Sequence, residues 1–235
     1  MIIECFGPPG AGKTTFALAL TARLRSAGLK VFTLLSAQPS EPLAADSDAK
    51  PGSLPPTTEF MNIARSTARS RYVEAEPQFL QTIRAFRMRR YLKGLSQAWT
   101  KAEKSNDIWI FDQAYVQFIL SILRMQPRIS DEDIIALLGA VPRSDLVISI
   151  ETPAAKLEER LRQRHRWSVT GMFFRERSMN IFVQVEIAKR FAGLLNRSDR
   201  CVISVRSESP EQIANDIRVF DKIIEKITIR EDGEK

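Results

Sequence analysis

An α/β fold with a parallel sheet covered on both faces is what this sequence predicts, on three observations. Short apolar runs alternate with segments of helical periodicity throughout the chain. The run Ile108-Trp-Ile-Phe111 is apolar at every position, as a strand buried on both faces must be. A glycine-rich loop, Gly7 to Gly12, separates the first apolar run from the first helical pattern, so strand, loop and helix follow in order.

Ile2 to Phe6 is the first strand, and Phe16, Leu18, Leu20 and Leu24 mark the helix that Gly28 ends. Lys30 to Leu35, short and partly β-branched, is the second strand and completes a parallel βαβ unit. From Gln38 to Thr58 five prolines among Ser, Asp, Ala and Gly predict a flexible loop, residues 39–58, unusually long for a compact domain. Phe60 to Lys104 is helical and basic, with two helices divided near Glu76-Pro77.

The third strand ends in Asp112 and precedes helical patterns at Ala114 to Leu123 and Asp131 to Leu138. Asp145 to Ile150 is the fourth strand; Thr152-Pro153 reads as an N-cap and first helical position for a helix to about Arg164. Cys201 to Val205 is the fifth, and Ser209-Pro-Glu opens a last helix to about Ile227. No repeat is visible, and 235 residues with 44% hydrophobic content suit one domain spanning 1–235.

The net charge of +7 favours polyanionic ligands, a class that includes ATP, phosphorylated metabolites, nucleic acid and anionic membrane surfaces. No run approaches the roughly 18 apolar residues of a membrane span, and Met1 to Phe6 is too short for a signal peptide, so a soluble cytoplasmic protein is expected. Cys5 and Cys201 match no metal or disulfide spacing and read as two reduced core thiols. With His165 the only histidine, no histidine-based metal site or histidine-pair acid–base chemistry can be built.

Gly7-Pro8-Pro9-Gly10-Ala11-Gly12-Lys13-Thr14 has the G-x-x-x-x-G-K-[ST] form of a phosphate loop, or Walker A motif. Backbone N–H groups must turn inward around phosphate oxygens, and side chains at the glycines would block that approach. Lys13 reaches the β and γ phosphates, and the Thr14 hydroxyl is a ligand for Mg²⁺. Thr15 either touches the α phosphate or faces the helix surface. With glycine near 7% of residues, chance would produce this pattern in a chain of this length roughly once in a hundred sequences. Its place between a strand and a helix makes chance rarer still.

A phosphate-loop site needs a second carboxylate to hold the metal through its water shell, at the end of a neighbouring apolar strand. Asp112 fits, with capping of the following helix as the alternative, whereas Asp107 precedes its strand. Gln113 points into the same cleft as a candidate substrate-binding residue. Arg160 and Arg164 lie four apart in an arginine-rich run, so both can address one phosphate group as catalytic cations. A solvated face neutralised by Glu158 and Glu159 is the plainer reading of that run. Arg84, Arg87, Arg89 and Arg90 form a second cluster. Trp99 and Trp109 read as core residues; Trp167 lies near the arginine-rich segment.

Phosphate loop, arginine-bearing helix, strand ending in Asp112 and arginine-rich segment after the fourth strand together resemble the thymidylate kinase and deoxynucleoside kinase group of P-loop kinases, from Met1 to about Val205. The resemblance implies a three-layer α/β/α P-loop NTPase fold, its five parallel strands in the order 2-3-1-4-5. It also implies an arginine-bearing lid, here 160–178, and Arg87 as a residue gripping the acceptor. Gln113 departs from the arginine that thymidylate kinases usually place after the aspartate. Glu41-Pro42 lies in the expanded loop where the group often carries an acidic or Glu-Pro element near the acceptor.

The expected activity is phosphoryl transfer from ATP-Mg²⁺ to a small acceptor, a nucleoside or nucleoside monophosphate first, with Asp112 or Glu41 as base. The competing reading is a nucleotide-driven switch or accessory ATPase whose basic surface holds nucleic acid or an acidic protein. Against it, the chain has no Asp-Glu pair at the third strand and no guanine-selective Asn-Lys-x-Asp motif. A nucleotide-binding fold without transfer is a third reading. The apolar helix Ala114 to Leu123 is a candidate homodimer face.

Overall fold

The computed structural model describes residues 1–35, 78–166, 180–218 and 220. The proline-rich loop at 39–58, Glu41, the helix expected from Phe60, Trp167 and the end of the last helix lie outside the described residues, as do residues 167–178 of the expected lid.

β1 (Ile2–Phe6), α1 (Lys13–Ser26), β2 (Val31–Leu34), α2 (Gln78–Glu103), β3 (Ile108–Phe111), α3 (Tyr115–Met125) and α4 (Asp131–Gly139) form the first part. β4 (Leu146–Glu151), α5 (Ala154–Arg166), α6 (Ile181–Arg197), β5 (Val202–Arg206) and α7 (Pro210–Arg218) follow. The strands form one sheet in the order β2-β3-β1-β4-β5, and every neighbouring pair is parallel.

Strand alternation divides the core into two layers. Ile2, Phe6, Trp109, Phe111 and Val147 face α2, α3, α4 and α6, where Trp99, Tyr115, Leu123 and Phe191 complete one cluster. Ile3, Cys5, Ile110, Ile148 and Ile150 face α1, α5 and α7, where Phe16, Leu20, Leu157, Ile213 and Phe220 complete the other. The molecule is therefore a three-layer α/β/α sandwich.

Three helix starts follow from capping. The Ser130 hydroxyl accepts from the Asp133 N–H, the Asn180 side chain accepts from the Phe182 N–H, and the Ser209 hydroxyl accepts from the Gln212 N–H at 3.2 Å with Pro210 at the first helical position. α3 has no cap of its own from Ala114. Its Val116 N–H donates instead to Glu4 Oε2 at 3.0 Å, so a buried carboxylate of β1 occupies the positive end of this helix.

Two expectations are corrected here. α3 is no free dimer face: Tyr115, Val116, Ile119, Leu120 and Leu123 are buried in the chain's own core, because a helix apolar on nearly every side must be covered all round. Only Cys5 is a core thiol, and Cys201 is exposed. No helix among the described residues is long and apolar enough to cross a membrane.

Candidate functional site

The phosphate loop leaves β1 at Gly7 and enters α1 at Lys13. Gly7, Gly10 and Gly12 have φ of 154°, 81° and 93°, values open to glycine and strained for other residues. A Cβ on Gly7 would stand 2.7 Å from the Ile150 carbonyl oxygen, and one on Gly12 would stand 2.6 Å from Ser207 Oγ. The glycines are thus required by backbone conformation and by close approach of neighbouring elements.

Pro8 and Pro9 have no N–H, so the amide donors of the loop run from Gly10 onward. The proline half supplies carbonyls. Lys13 Nζ donates to Gly7 O at 2.9 Å and Pro8 O at 3.1 Å, and the Ala11 N–H closes a turn onto Pro8 O at 3.1 Å. The first turn of α1 contains no acidic residue, which leaves its positive end open to an anion. Thr15 is exposed at that end.

On the outer side of the loop, Ala11 O accepts from Thr152 Oγ1 at 3.0 Å and from Arg160 Nη1 at 3.3 Å. Arg160 also reaches Gly10 O at 3.3 Å and Ser207 O at 2.8 Å. In a trans peptide the C=O and the following N–H point in opposite directions, so drawing Ala11 O outward turns the Gly12 N–H inward. Thr152 therefore does not cap α5 as expected. The carbonyl of Pro153 accepts the first helical bonds, from Lys156 and Leu157, while the Thr152 hydroxyl is committed to the loop.

β3 is hydrogen-bonded beside β1, with Glu4 opposite Phe111. This adjacency brings Asp112, fully buried, next to the start of α1, where Thr14 Oγ1 donates to Asp112 Oδ2 at 2.7 Å. At the α3 N terminus Glu4 accepts from the Val116 N–H. Gln113 is half-buried beside Asp112, and its carbonyl accepts from the Tyr91 hydroxyl at 2.8 Å. Burial, together with the charges of Asp112 and Glu4, pushes the Tyr91 hydroxyl up, so it stays protonated and keeps donating.

Glu4 is fully buried, and desolvation raises its carboxyl above the usual range against the opposing Val116 N–H and the charge of Arg200. Burial likewise raises the Cys5 thiol, so Cys5 is no thiolate nucleophile. Arg87 lies on α2 and Arg164 on α5; the side chains of both lie outside the described ones. Phosphate loop, Thr14, Asp112 and Gln113 thus come together at the carboxyl edge of the sheet, and Arg160 meets the loop from outside.

A cleft of about 510 Å³ opens between α6 and the ends of β4 and β5. Its charged lining is Glu151, Glu186, Lys189, Arg206 and Glu208, and it meets the phosphate loop at Pro8. Sequence reasoning missed Glu4, Gln117, Thr152 as a loop brace, and Ser207. The available signals were a carboxylate in the middle of an apolar strand and a glutamine in an apolar helix.

No protein-family model matches the chain, and no protein of curated function matches it by sequence. Among solved structures it is similar to a deoxyadenosine kinase from M. mycoides with bound dCTP, at 15% identity and a TM-score of 0.48, covering 94% of this chain and 100% of that one. The same kinase with the products dCMP and a flexible dCDP bound gives 16% and 0.49 over the same shares. With bound dATP it gives 16% and 0.48, again over 94% and 100%.

Proposed function

We propose that this chain is an ATP-dependent phosphotransferase that moves the γ-phosphoryl group of ATP to a small-molecule acceptor, preferentially a nucleoside or nucleoside monophosphate. The observation that carries the reading is the pairing of Thr14 with Asp112 next to Lys13 in a glycine-shaped phosphate loop. A glycine-rich turn with no ligand has no use for a buried strand-end carboxylate held on the hydroxyl that follows its lysine.

The loop's amides of Gly10 and of Gly12 to Thr14, at the N terminus of α1, receive the phosphates, while the Ala11 N–H holds the turn onto Pro8 O. Lys13 exchanges the carbonyls of Gly7 and Pro8 for phosphate oxygens, trading neutral acceptors for charged ones. Thr152 and Arg160 hold the loop's carbonyls outward while this happens. Thr14 and Asp112 offer the hard oxygen donors that suit Mg²⁺, which usually takes one or two carboxylates together with substrate phosphates and water. Bound there, the ion would neutralise charge on the β and γ phosphates.

Transfer then depends on positioning and charge, with no nucleophilic side chain. The order β2-β3-β1-β4-β5 sets β3 beside the phosphate loop, so an acceptor held near Gln113 and the arginine-bearing helix α2 faces the γ phosphate. The order of the chain's parts and the arginines of α2 support the nucleoside or nucleotide class.

The test is ADP formation from ATP and Mg²⁺ across a panel of nucleosides, nucleoside monophosphates and sugars, with single-stranded DNA and RNA as separate additions and Lys13→Ala as control. ADP that appears with one small acceptor and disappears in the control supports the proposal. Turnover without acceptor, or stimulated by nucleic acid, contradicts it.

A further inference from the structure

We infer that Gln117 is a positioning residue of the phosphate loop, holding Gly7 by its N–H so that the loop keeps its curvature when Lys13 turns to a phosphate. The inference rests on the nucleotide-binding reading above. Gly7 lies one residue beyond Phe6↔Ser149, the last paired position of β1 with β4. Its buried N–H donates to Gln117 Oε1 at 3.0 Å, from a helix 110 residues further along the chain. Gln117 is itself buried, in the otherwise apolar first half of α3.

Gly7 is held from both sides of its Cα. Gln117 accepts from its N–H, and its carbonyl accepts from Lys13 Nζ. The second bond is the one that binding puts under competition, because the same ammonium is needed on the phosphates. The bond to Gln117 then remains to keep Gly7 at φ 154°, close against the Ile150 carbonyl. α3 is fixed in turn, since Glu4 of β1 accepts from the N–H of Val116, the residue before Gln117. β1 and α3 are thus tied in both directions within one helical turn, which is a reason for two polar side chains to sit in an apolar layer.

The experiment uses the full chain and ATP-Mg²⁺ binding by titration calorimetry, with Tm measured in parallel. Gln117→Leu keeps the volume and removes the acceptor; Gln117→Glu keeps an oxygen at the same reach. Leaving a buried donor unsatisfied should weaken ATP binding about tenfold in the leucine variant, and the glutamate variant should recover most of that loss. A merely structural role would lower Tm without this split. A folded leucine variant that binds ATP as tightly as wild type overturns the inference, and so does a glutamate variant as weak as the leucine one.

A measurement on the wild type is independent of whether variants fold. The Gly7 amide should be protected from hydrogen exchange both without and with ATP, and an amide that exchanges freely in either state overturns the inference. A wild type that binds no ATP would instead defeat the nucleotide reading itself, which keeps the two failures distinguishable.

Discussion

The Thr14 hydroxyl donates to Asp112 Oδ2 at 2.7 Å, joining the first turn of α1 to the end of β3 across 98 positions of sequence. This is the arrangement in which a hydroxyl and a carboxylate can share the water shell of a metal that bridges two phosphates. Asp112→Asn keeps the shape and removes the charge. It is expected to lower kcat by roughly 10²–10³, the range seen when a preorganised electrostatic group is removed, with a much smaller change in ATP affinity. Thr14→Ser should retain most of the activity and Thr14→Ala should lose it, measured as initial rates with the preferred acceptor.

Gly7→Ala places a methyl group 2.7 Å from a backbone carbonyl, at a φ that glycine alone adopts readily. A backbone atom cannot step aside as a flexible side chain can. We expect ATP binding to be abolished and Tm to fall by about 5 °C, as roughly 2 kcal/mol of strain implies for a chain of this size. Gly28→Ala is the contrast, since it has the same sign of φ and nothing within 4 Å. It should cost stability through its φ of 84° alone and leave ATP binding unchanged.

Arg160 spends its guanidinium on Gly10 O, Ala11 O and Ser207 O. A residue that shapes the loop acts on nucleotide binding, whereas one that meets the transferred phosphoryl group acts on the chemical step. Arg160→Ala should therefore raise the KM for ATP about tenfold with kcat changed by less. Arg160→Lys should recover little, because an ammonium cannot span three carbonyls as the planar fork does. Steady-state kinetics with ATP varied at saturating acceptor would separate the two roles.

The raised carboxyl of Glu4 has a consequence for stability. Folding favours its protonated form, so between the ordinary glutamate value of 4.5 and its higher folded value the folded state binds more protons than the unfolded one. Stability from this group is full at low pH and is lost as pH rises through that window. Glu4→Gln keeps an oxygen for the Val116 N–H and removes the buried charge. Its Tm should exceed that of the wild type by about 2–4 °C near pH 7.5, about 1 kcal/mol in a chain of this size. The two should converge as pH approaches 4.5, where both side chains are neutral.

The fold was legible where chemistry and periodicity are local. The run Ile108 to Phe111, the loop Gly7 to Thr14 and the Ser209-Pro210 helix start each declare themselves within a few residues, and the structure has all three. The pairing of Thr14 with Asp112 was legible at one remove, because a parallel sheet with β3 beside β1 brings a strand-end carboxylate to the loop. What was not legible depends on long-range choices of partner. Thr152 has the sequence context of an N-cap, yet its hydroxyl is drawn to Ala11 O, which needs a donor once the loop closes. Glu4 and Gln117 are single polar residues in apolar runs, and their meaning appears only when β1 and α3 are packed together. Arg160 and Arg164 share a helical spacing, but spacing could not show that Arg160 would meet the loop's carbonyls.

The most direct test of the central claim is to follow the γ phosphorus of ATP by ³¹P NMR during turnover with the best acceptor from the panel. The account predicts that the signal moves from the γ position to a new phosphoester or phosphoanhydride of the acceptor in step with ADP, and that Lys13→Ala and Asp112→Asn suppress both. Inorganic phosphate appearing in step with ADP, at a rate indifferent to the acceptor, would contradict it and identify the chain as an ATPase.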